Sequence, residues 1–355
     1  MARAPKDITP MTLTPKERMR RALHYEPVDR LPTQINYTGA VGDMLAAHFG
    51  VTRAELPRRL GNHLLRVDIS HTPRLSEDGR VAYDWWGVGW DTQEEGYFVR
   101  HSPLAENRDL DAFAWPDPHA PDLLRDAEQA IAADAGEHFV APNFGFALFE
   151  RAWALRGFDT FLVDMATDPD YAAELLDRIV AIQEVLIRRF LALGVDGVYF
   201  GDDYGAQKST LFSPRMWRTL IKPRLARLFA PAREAGLPVI LHSDGDIAPI
   251  LPDLVEIGLT ALNPVQPEVI DHHWLRTTFG GRLAFYGGVS TQTVLPHGSP
   301  QDVRAAVFAA ARALAPDGTG LIIAPSHRMM QDIPLANIQA LLDAFAELEG
   351  DSWRQ

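Results

Sequence analysis

Asp196-Gly197-Val198-Tyr199-Phe200-Gly201-Asp202-Asp203 and Pro238-Val239-Ile240-Leu241-His242-Ser243-Asp244 share one pattern: a turn former, a short apolar run, then acids. A run this short, with β-branched and aromatic residues between turn signals, reads as a fully buried strand. Outward from these two strands the same beat continues. A long helix, Thr167 to Leu193, opens at Asp168-Pro169 and closes at Gly194. Ser213-Pro214 starts a helical stretch that Pro223 and Pro231 are expected to interrupt. Further strands are expected at Thr260 to Asn263, Leu283 to Tyr286 and Leu321 to Ala324, with Ser299-Pro300-Gln301-Asp302 capping the helix between the last two.

Strands alternating with helices imply parallel strands covered on both faces. With earlier candidates included, strands fall near residues 33, 66, 139, 198, 240, 261, 285 and 322. Eight such strands, with no GxGxxG turn, predict a (β/α)8 TIM-type barrel rather than a dinucleotide-binding sheet. The expected organisation is a tail over 1–12 and a single barrel domain over 13–350. Tyr83 to Val99 breaks the beat, with Trp85, Trp86, Trp90, Tyr97 and Phe98 set around Gly87, Gly89 and Gly96. It predicts an aromatic β-hairpin inserted over 76–100 after the second strand, packing as a small satellite core.

Composition narrows the chemistry. Net charge is −13, from 47 acidic against 34 basic residues, which argues against a nucleic-acid partner. No apolar run approaches the roughly 20 residues that a membrane-spanning helix needs, and the N-terminus lacks an apolar export signal, so a cytoplasmic location is expected. There is no cysteine, so any metal must be held by nitrogen and oxygen.

In a parallel barrel the reactive side chains stand at strand C-terminal ends. That rule selects Asn36, Tyr37, Glu150, Arg151, Asp202, Asp203, His242, Asp244, Asn263, Gln266, Ser290, His327 and Arg328. His242 and Asp244, two apart, point the same way from one strand end and with His327 would make a nitrogen–oxygen site for a divalent ion, zinc foremost. The alternative reading is a turn-capping aspartate beside a hydrogen-bonded histidine. Asp202 and Asp203 are adjacent acids whose repulsion would raise one pKa, suiting acid–base work beside Glu150 and His327. Arg151 and Arg328 suit a substrate carboxylate. Asn36, Tyr37, Asn263, Gln266 and Ser290 complete the expected substrate contacts.

Several stretches together resemble the uroporphyrinogen decarboxylase superfamily. They are Leu13-Thr14-Pro15-Lys16-Glu17-Arg18 with Glu26-Pro27-Val28-Asp29-Arg30-Leu31-Pro32; Gly201-Asp202-Asp203-Tyr204-Gly205 with Leu211-Phe212-Ser213-Pro214; Leu241 to Asp246 with Gly258 to Gln266; Gly287-Gly288-Val289-Ser290; and Ser326-His327 through Asn337. The resemblance implies a parallel α/β barrel. It also implies one of two chemistries. The decarboxylases bind their porphyrinogen through an N-terminal arginine pair, and Thr33 to Val41 contains no arginine, although His327 falls where they carry a C-terminal histidine. The corrinoid- and coenzyme M-linked methyltransferases hold zinc with His-x-Cys and a distant Cys. Here His242 matches the histidine, Asp244 replaces the first cysteine, and Ser326 or His327 lies near the second.

The expectation is therefore a divergent member: a metal-dependent methyltransferase or demethylase of a small substrate. A corrinoid would be methyl donor or acceptor, a corrinoid protein a partner, and a homodimer the assembly. A metal-free decarboxylase or other lyase, and a non-catalytic corrinoid- or tetrapyrrole-binding subunit, are the alternatives.

Overall fold

Strand formation follows the apolar runs closely. In the computed structural model, which describes residues 12–349 and 352–354, parallel strands occupy β1 (Leu64–Val67), β6 (Phe139–Gly145), β7 (Val198–Gly201), β8 (Val239–His242), β9 (Ala261–Asn263), β10 (Ala284–Val289) and β11 (Leu321–Pro325). The antiparallel strands numbered between β1 and β6 are β2 (Arg74–Leu75), β3 (Val81–Tyr83), β4 (Gly89–Asp91) and β5 (Val99–His101). The expected tail, apart from Thr12, lies outside the described residues, as does Gly350 at the expected end of the barrel domain.

The chain divides into two units, and every contact described below lies within one of them. The larger comprises residues 65–135 and 140–270. Its parallel strands follow chain order, β6-β7-β8-β9, with Asn143 opposite Tyr199, Gly201 opposite His242 and His242 opposite Asn263. Alternation sorts their side chains onto two faces. One is aromatic and fixes the helices: Phe144 meets Phe190 of the Pro169–Leu191 helix at 5.8 Å, and Phe200 meets Phe229 of the Lys222–Glu234 helix at 5.1 Å. The other face carries Asn143, Tyr199, His242 and Asn263, so the polar residues all look away from the helices.

Asp168 caps the long helix, its side chain accepting from the Tyr171 N–H. The stretch after Ser213 departs from expectation. Pro231 sits inside a continuous Lys222–Glu234 helix rather than interrupting it. The disturbance comes earlier, as a π-helical turn at Trp217–Ile221. Pro223 has no N–H to return to the turn before it, and the wider turn absorbs that missing bond.

Residues 74–101 also differ from the simple hairpin expected. They form a four-stranded antiparallel sheet, β2-β3-β4-β5. Asp84 holds its central turn, accepting from the Trp86 and Val88 N–H groups at 2.9 Å and from Trp90 Nε1 at 3.0 Å. Trp90 and Tyr97 then close edge-on against Phe146, the residue after β6, at 4.8 and 5.4 Å.

The smaller unit, within the described residues, holds 12–64, 136–139, 271–349 and 352–354. Here β10 and β11 pair in parallel, and Thr33 and Tyr37 bridge Ile323 and Met329 in the same sense. Ser299 and Asp302 form the expected capping box. The motif around Arg18 proves to be a structural lock. Its guanidinium holds Asp29 through two bonds of 2.7 Å, the Leu13 carbonyl at 2.8 Å and His63 Nε2 at 2.9 Å. Arginine can only donate, so Nε2 accepts, and His63 Nδ1–H donates to the Thr33 carbonyl at 3.0 Å.

Burial first, then the positive charges of Arg18 and Arg30, depress the His63 pKa from 6.5 to about 3. The unfolded chain therefore takes up this proton before the folded one does. The contribution is complete above the unfolded value and is lost as pH falls from about 6.5 towards 3, at up to about 1.4 kcal/mol per pH unit. Urea unfolding of the His63→Gln variant should show a shallower loss of stability than the parent across this window; parallel slopes would sink the assignment.

Candidate active site

Two loops following β7 and β8 are pressed together by sequence. A Cβ on Gly205 would lie 2.6 Å from the Asp244 carbonyl oxygen, and one on Gly245 would lie 2.4 Å from the Gly205 carbonyl carbon. Gly245 also has φ +80°, a conformation that glycine adopts without steric cost. Only with glycine at both places can the Asp246 N–H reach the Ala206 carbonyl at 2.8 Å. This contact sets Asp203 beside Asp244, and Asp203 Oδ1 accepts the Asp244 N–H at 2.8 Å.

His242 ends β8 inside this frame. Its Nδ1 lies 2.7 Å from Asn263 Oδ1, which also accepts from the Tyr199 hydroxyl at 2.8 Å. An amide oxygen only accepts, so Nδ1 carries hydrogen and Nε2 is the outward nitrogen. Nε2 stands 3.7 Å from Asp244 Oδ2 and 3.9 Å from Asp203 Oδ1. All three side chains remain reachable, His242 at 21% exposure and each aspartate at 34%. Burial pulls the imidazole pKa down, but the Asp244 and Asp203 carboxylates and the Asn263 bond outweigh it and raise it to about 9.

The neighbouring acids separate into two kinds. Asp202 is fully buried and already engaged. Its oxygens accept from the N–H groups of Phe149 and Glu150 at 2.9 and 2.8 Å and from the Tyr204 hydroxyl at 2.5 Å. It thus holds the start of the Phe149–Arg156 helix, and although burial raises its pKa to about 6, these donors resist the rise. Glu150 carries no such load. Burial, then the charges of Asp203 and Asp202, push its carboxyl well above the ordinary range and favour the protonated form. Asp203 is raised as well, chiefly by burial and against the pull of His242.

The other predicted residues are placed as follows. Arg151 is buried and turns to Asp84, with an ion pair of 2.6 Å, under Trp86 and Phe146. It ties the four-stranded sheet to the helix of Glu150. Gln266 is buried and faces the Gly245 N–H at 3.4 Å. In the smaller unit, Ser290 is buried with its hydroxyl 2.8 Å from Thr293 Oγ1 and 2.9 Å from the Thr293 N–H, capping the turn that follows β10. Asn36 and Tyr37 lie beside Met329, and so close to His327 and Arg328 in the chain, with Arg53 over the Tyr37 ring.

Sequence reasoning passed over Tyr199, Tyr204, Arg66, Asp68 and Asn143. Arg66 lies over the Tyr199 ring at 5.1 Å, and Asn143 donates to Asp68 at 3.0 Å. The signal was available in the i, i+2 spacing of Arg66 and Asp68 at the end of a strand.

Tyr204→Phe removes one donor from a buried carboxylate, a loss on the scale of about 1.5–3 kcal/mol. Urea unfolding should register that drop with folded secondary structure intact; a change below about 0.5 kcal/mol would show that Asp202 does not rely on the hydroxyl.

Comparison with known proteins now bears on this arrangement. Residues 84–348 match the family model of uroporphyrinogen decarboxylase (URO-D). A methylated-thiol–coenzyme M methyltransferase of Methanosarcina mazei is 23% identical over 57% of this chain, which spans 51% of that relative's length. The methylcobamide:CoM methyltransferase MtbA of the same organism is 23% identical over 93% of this chain and 97% of its own. A solved methyltransferase from Methanosarcina mazei superposes with a TM-score of 0.71 at 21% identity, covering 94% of this chain and 98% of that one, and so shares the fold. Among the described residues no helix is long and apolar enough to cross a membrane. The match over most of the chain, supported by methyltransferase relatives, places this protein in the uroporphyrinogen decarboxylase family as a member with methyltransferase-like features.

Proposed function

We propose that the protein is a metal-dependent methyltransferase or demethylase that exchanges a methyl group between a small substrate and a corrinoid. The observation that carries this reading is the His242 imidazole with Nε2 turned towards two carboxylates at 3.7 and 3.9 Å. The relatives' names supply the corrinoid and the methyl group. A closed barrel belongs to the same proposal, although seven parallel strands form among the described residues and the expected strand near residue 33 is present only as single bridges at Thr33 and Tyr37.

The residues fit a divalent ion. Asn263 occupies Nδ1, which leaves the Nε2 lone pair for a ligand bond and fixes the ring, as outer-shell partners of metal-binding histidines do. His242 and Asp244, with His327 as the proposed third ligand, offer imidazole and carboxylate, a donor set suited to zinc or a harder ion. Held by nitrogen and oxygen alone, such an ion would be a strong Lewis acid towards an oxygen-bearing substrate.

The chain's own residues divide the remaining work. When a methyl group leaves an ether oxygen for a reduced corrinoid, the departing oxygen needs a proton, and protonated Glu150 is the group to give it. In the opposite direction the acceptor loses a proton, which Asp203 takes. Asp202 keeps Glu150 in place. Asn36, Tyr37, Gln266 and Arg328 are the proposed substrate contacts from the strand ends, with a corrinoid protein as the proposed partner.

Metal binding should displace the proton of His242. Because that group is raised to about 9 in the metal-free protein, it is charged at pH 7.5, and zinc must displace close to one proton from it. Apparent zinc affinity should rise by up to about tenfold per pH unit until pH 9. Calorimetry in buffers of different ionisation enthalpy measures this directly. Equal zinc content and equal proton release in His242→Ala would remove the reading.

A further inference from the structure

Asn263 can face His242 in two ways, and only one of them leaves a ring nitrogen open to a cation. Its side-chain oxygen accepts hydrogen bonds, and its side-chain nitrogen donates them. With Oδ1 turned to the ring, 2.7 Å from Nδ1, the ring hydrogen stays on Nδ1 and the Nε2 lone pair points outward. With the amide reversed, its nitrogen would donate to Nδ1. The hydrogen of a neutral ring would then move to Nε2 and block a ligand bond there. The two orientations have nearly the same shape, so packing does not choose between them. Hydrogen bonding must.

Tyr199 supplies the choice from two strands away. Its strand β7 is separated from β9 by β8, which carries His242. Register sets Tyr199 opposite Ile240 and Ile240 opposite Ala261, one step below the layer of Gly201, His242 and Asn263. The phenol therefore crosses β8 beneath the imidazole, and at its own level β9 presents only the methyl of Ala261. Its hydroxyl ends 2.8 Å from Asn263 Oδ1, the same atom that receives His242. Two donors thus converge on one oxygen. Reversing the amide would remove the acceptor from both at once. Tyr199 is 3% exposed and Asn263 4%, so water has little access to replace the lost bond. The Arg66 guanidinium lies over the Tyr199 ring at 5.1 Å and steadies it from a third strand.

We infer that Tyr199 is a positioning residue: by donating to Asn263 Oδ1 it keeps the amide oxygen on His242 Nδ1, and so keeps Nε2 as the nitrogen offered to a metal ion. The inference rests on the metal-dependent reading for its consequence, and on the geometry of three side chains for the orientation itself.

Two experiments separate these dependencies. The first needs no metal. Proton–nitrogen correlation spectra of isotope-labelled histidine report which ring nitrogen carries hydrogen, and His242→Ala identifies the signal. At about pH 10, where the ring is neutral, the parent should show hydrogen on Nδ1, and Tyr199→Phe should shift the population towards Nε2. An unchanged tautomer in folded Tyr199→Phe overturns the inference. The second experiment measures zinc affinity by chelator competition in a double-mutant cycle. Tyr199→Phe should weaken zinc binding by about tenfold, the scale on which outer partners of a ligating histidine act. In Asn263→Asp protein both side-chain oxygens accept, so no reversal is possible, and the same tyrosine change should cost less than about twofold. An equal loss in both backgrounds would assign Tyr199 to general packing and overturn the inference. A parent protein that binds no zinc would count against the metal-dependent reading, and the tautomer spectra would still decide the role of Tyr199.

Discussion

The hydrogen bond between His242 Nδ1 and Asn263 Oδ1 determines what the rest of the site is able to do. It joins adjacent strands at the level where the apolar runs end, and it assigns the two ring nitrogens different tasks. With Nδ1 committed to the amide, Nε2 is the nitrogen left facing Asp203 and Asp244. Were the ring turned over, Cδ2 would face the amide and Cε1 the carboxylates, and the ligand pattern would dissolve. Tyr199, donating to the same amide oxygen, extends the constraint one layer down the parallel strands.

Crowding four acids around one imidazole is unfavourable in itself, and the structure relieves the strain unequally. Asp202 is stabilised by three donors and serves the backbone. Asp203 has one backbone donor and the nearby imidazole. Glu150 has its pKa raised well above the ordinary range, because burial and both aspartates act together and outweigh the His242 charge and a backbone bond from Asp203. Such a spread of environments is how similar carboxyl groups come to hold protons at different pH and take different roles. It also accounts for the charge on His242, which a divalent cation would replace.

The later strands were legible because each is a short apolar run closed by glycine, proline or, after β8, a polar His-Ser-Asp stretch, and the structure places strands at all five of those positions. The His242–Asp244 pairing was legible from i, i+2 spacing alone. Other features depended on contacts between distant segments. Nothing local in Gly201-Asp202-Asp203-Tyr204 says that Asp202 turns inward to a helix start while Asp203 turns to the next loop. Arg151 reads equally well as a carboxylate clamp, and only the fold of Asp84-Trp85-Trp86-Gly87 shows the partner it takes. The inserted sheet was visible as a break in rhythm, but four strands of two or three residues each are shorter than pattern can resolve.

Arg151 also connects that insertion to the chemistry. It follows Glu150 in the same helix, its guanidinium meets Asp84 in the central turn of the aromatic sheet, and the same guanidinium lies over the Phe146 ring. Any displacement of the sheet is therefore transmitted to the helix whose first turn Asp202 fixes and which carries the proposed acid. Arg151 itself is buried, so removing Asp84 alone would strand the guanidinium charge under Trp86 and Phe146.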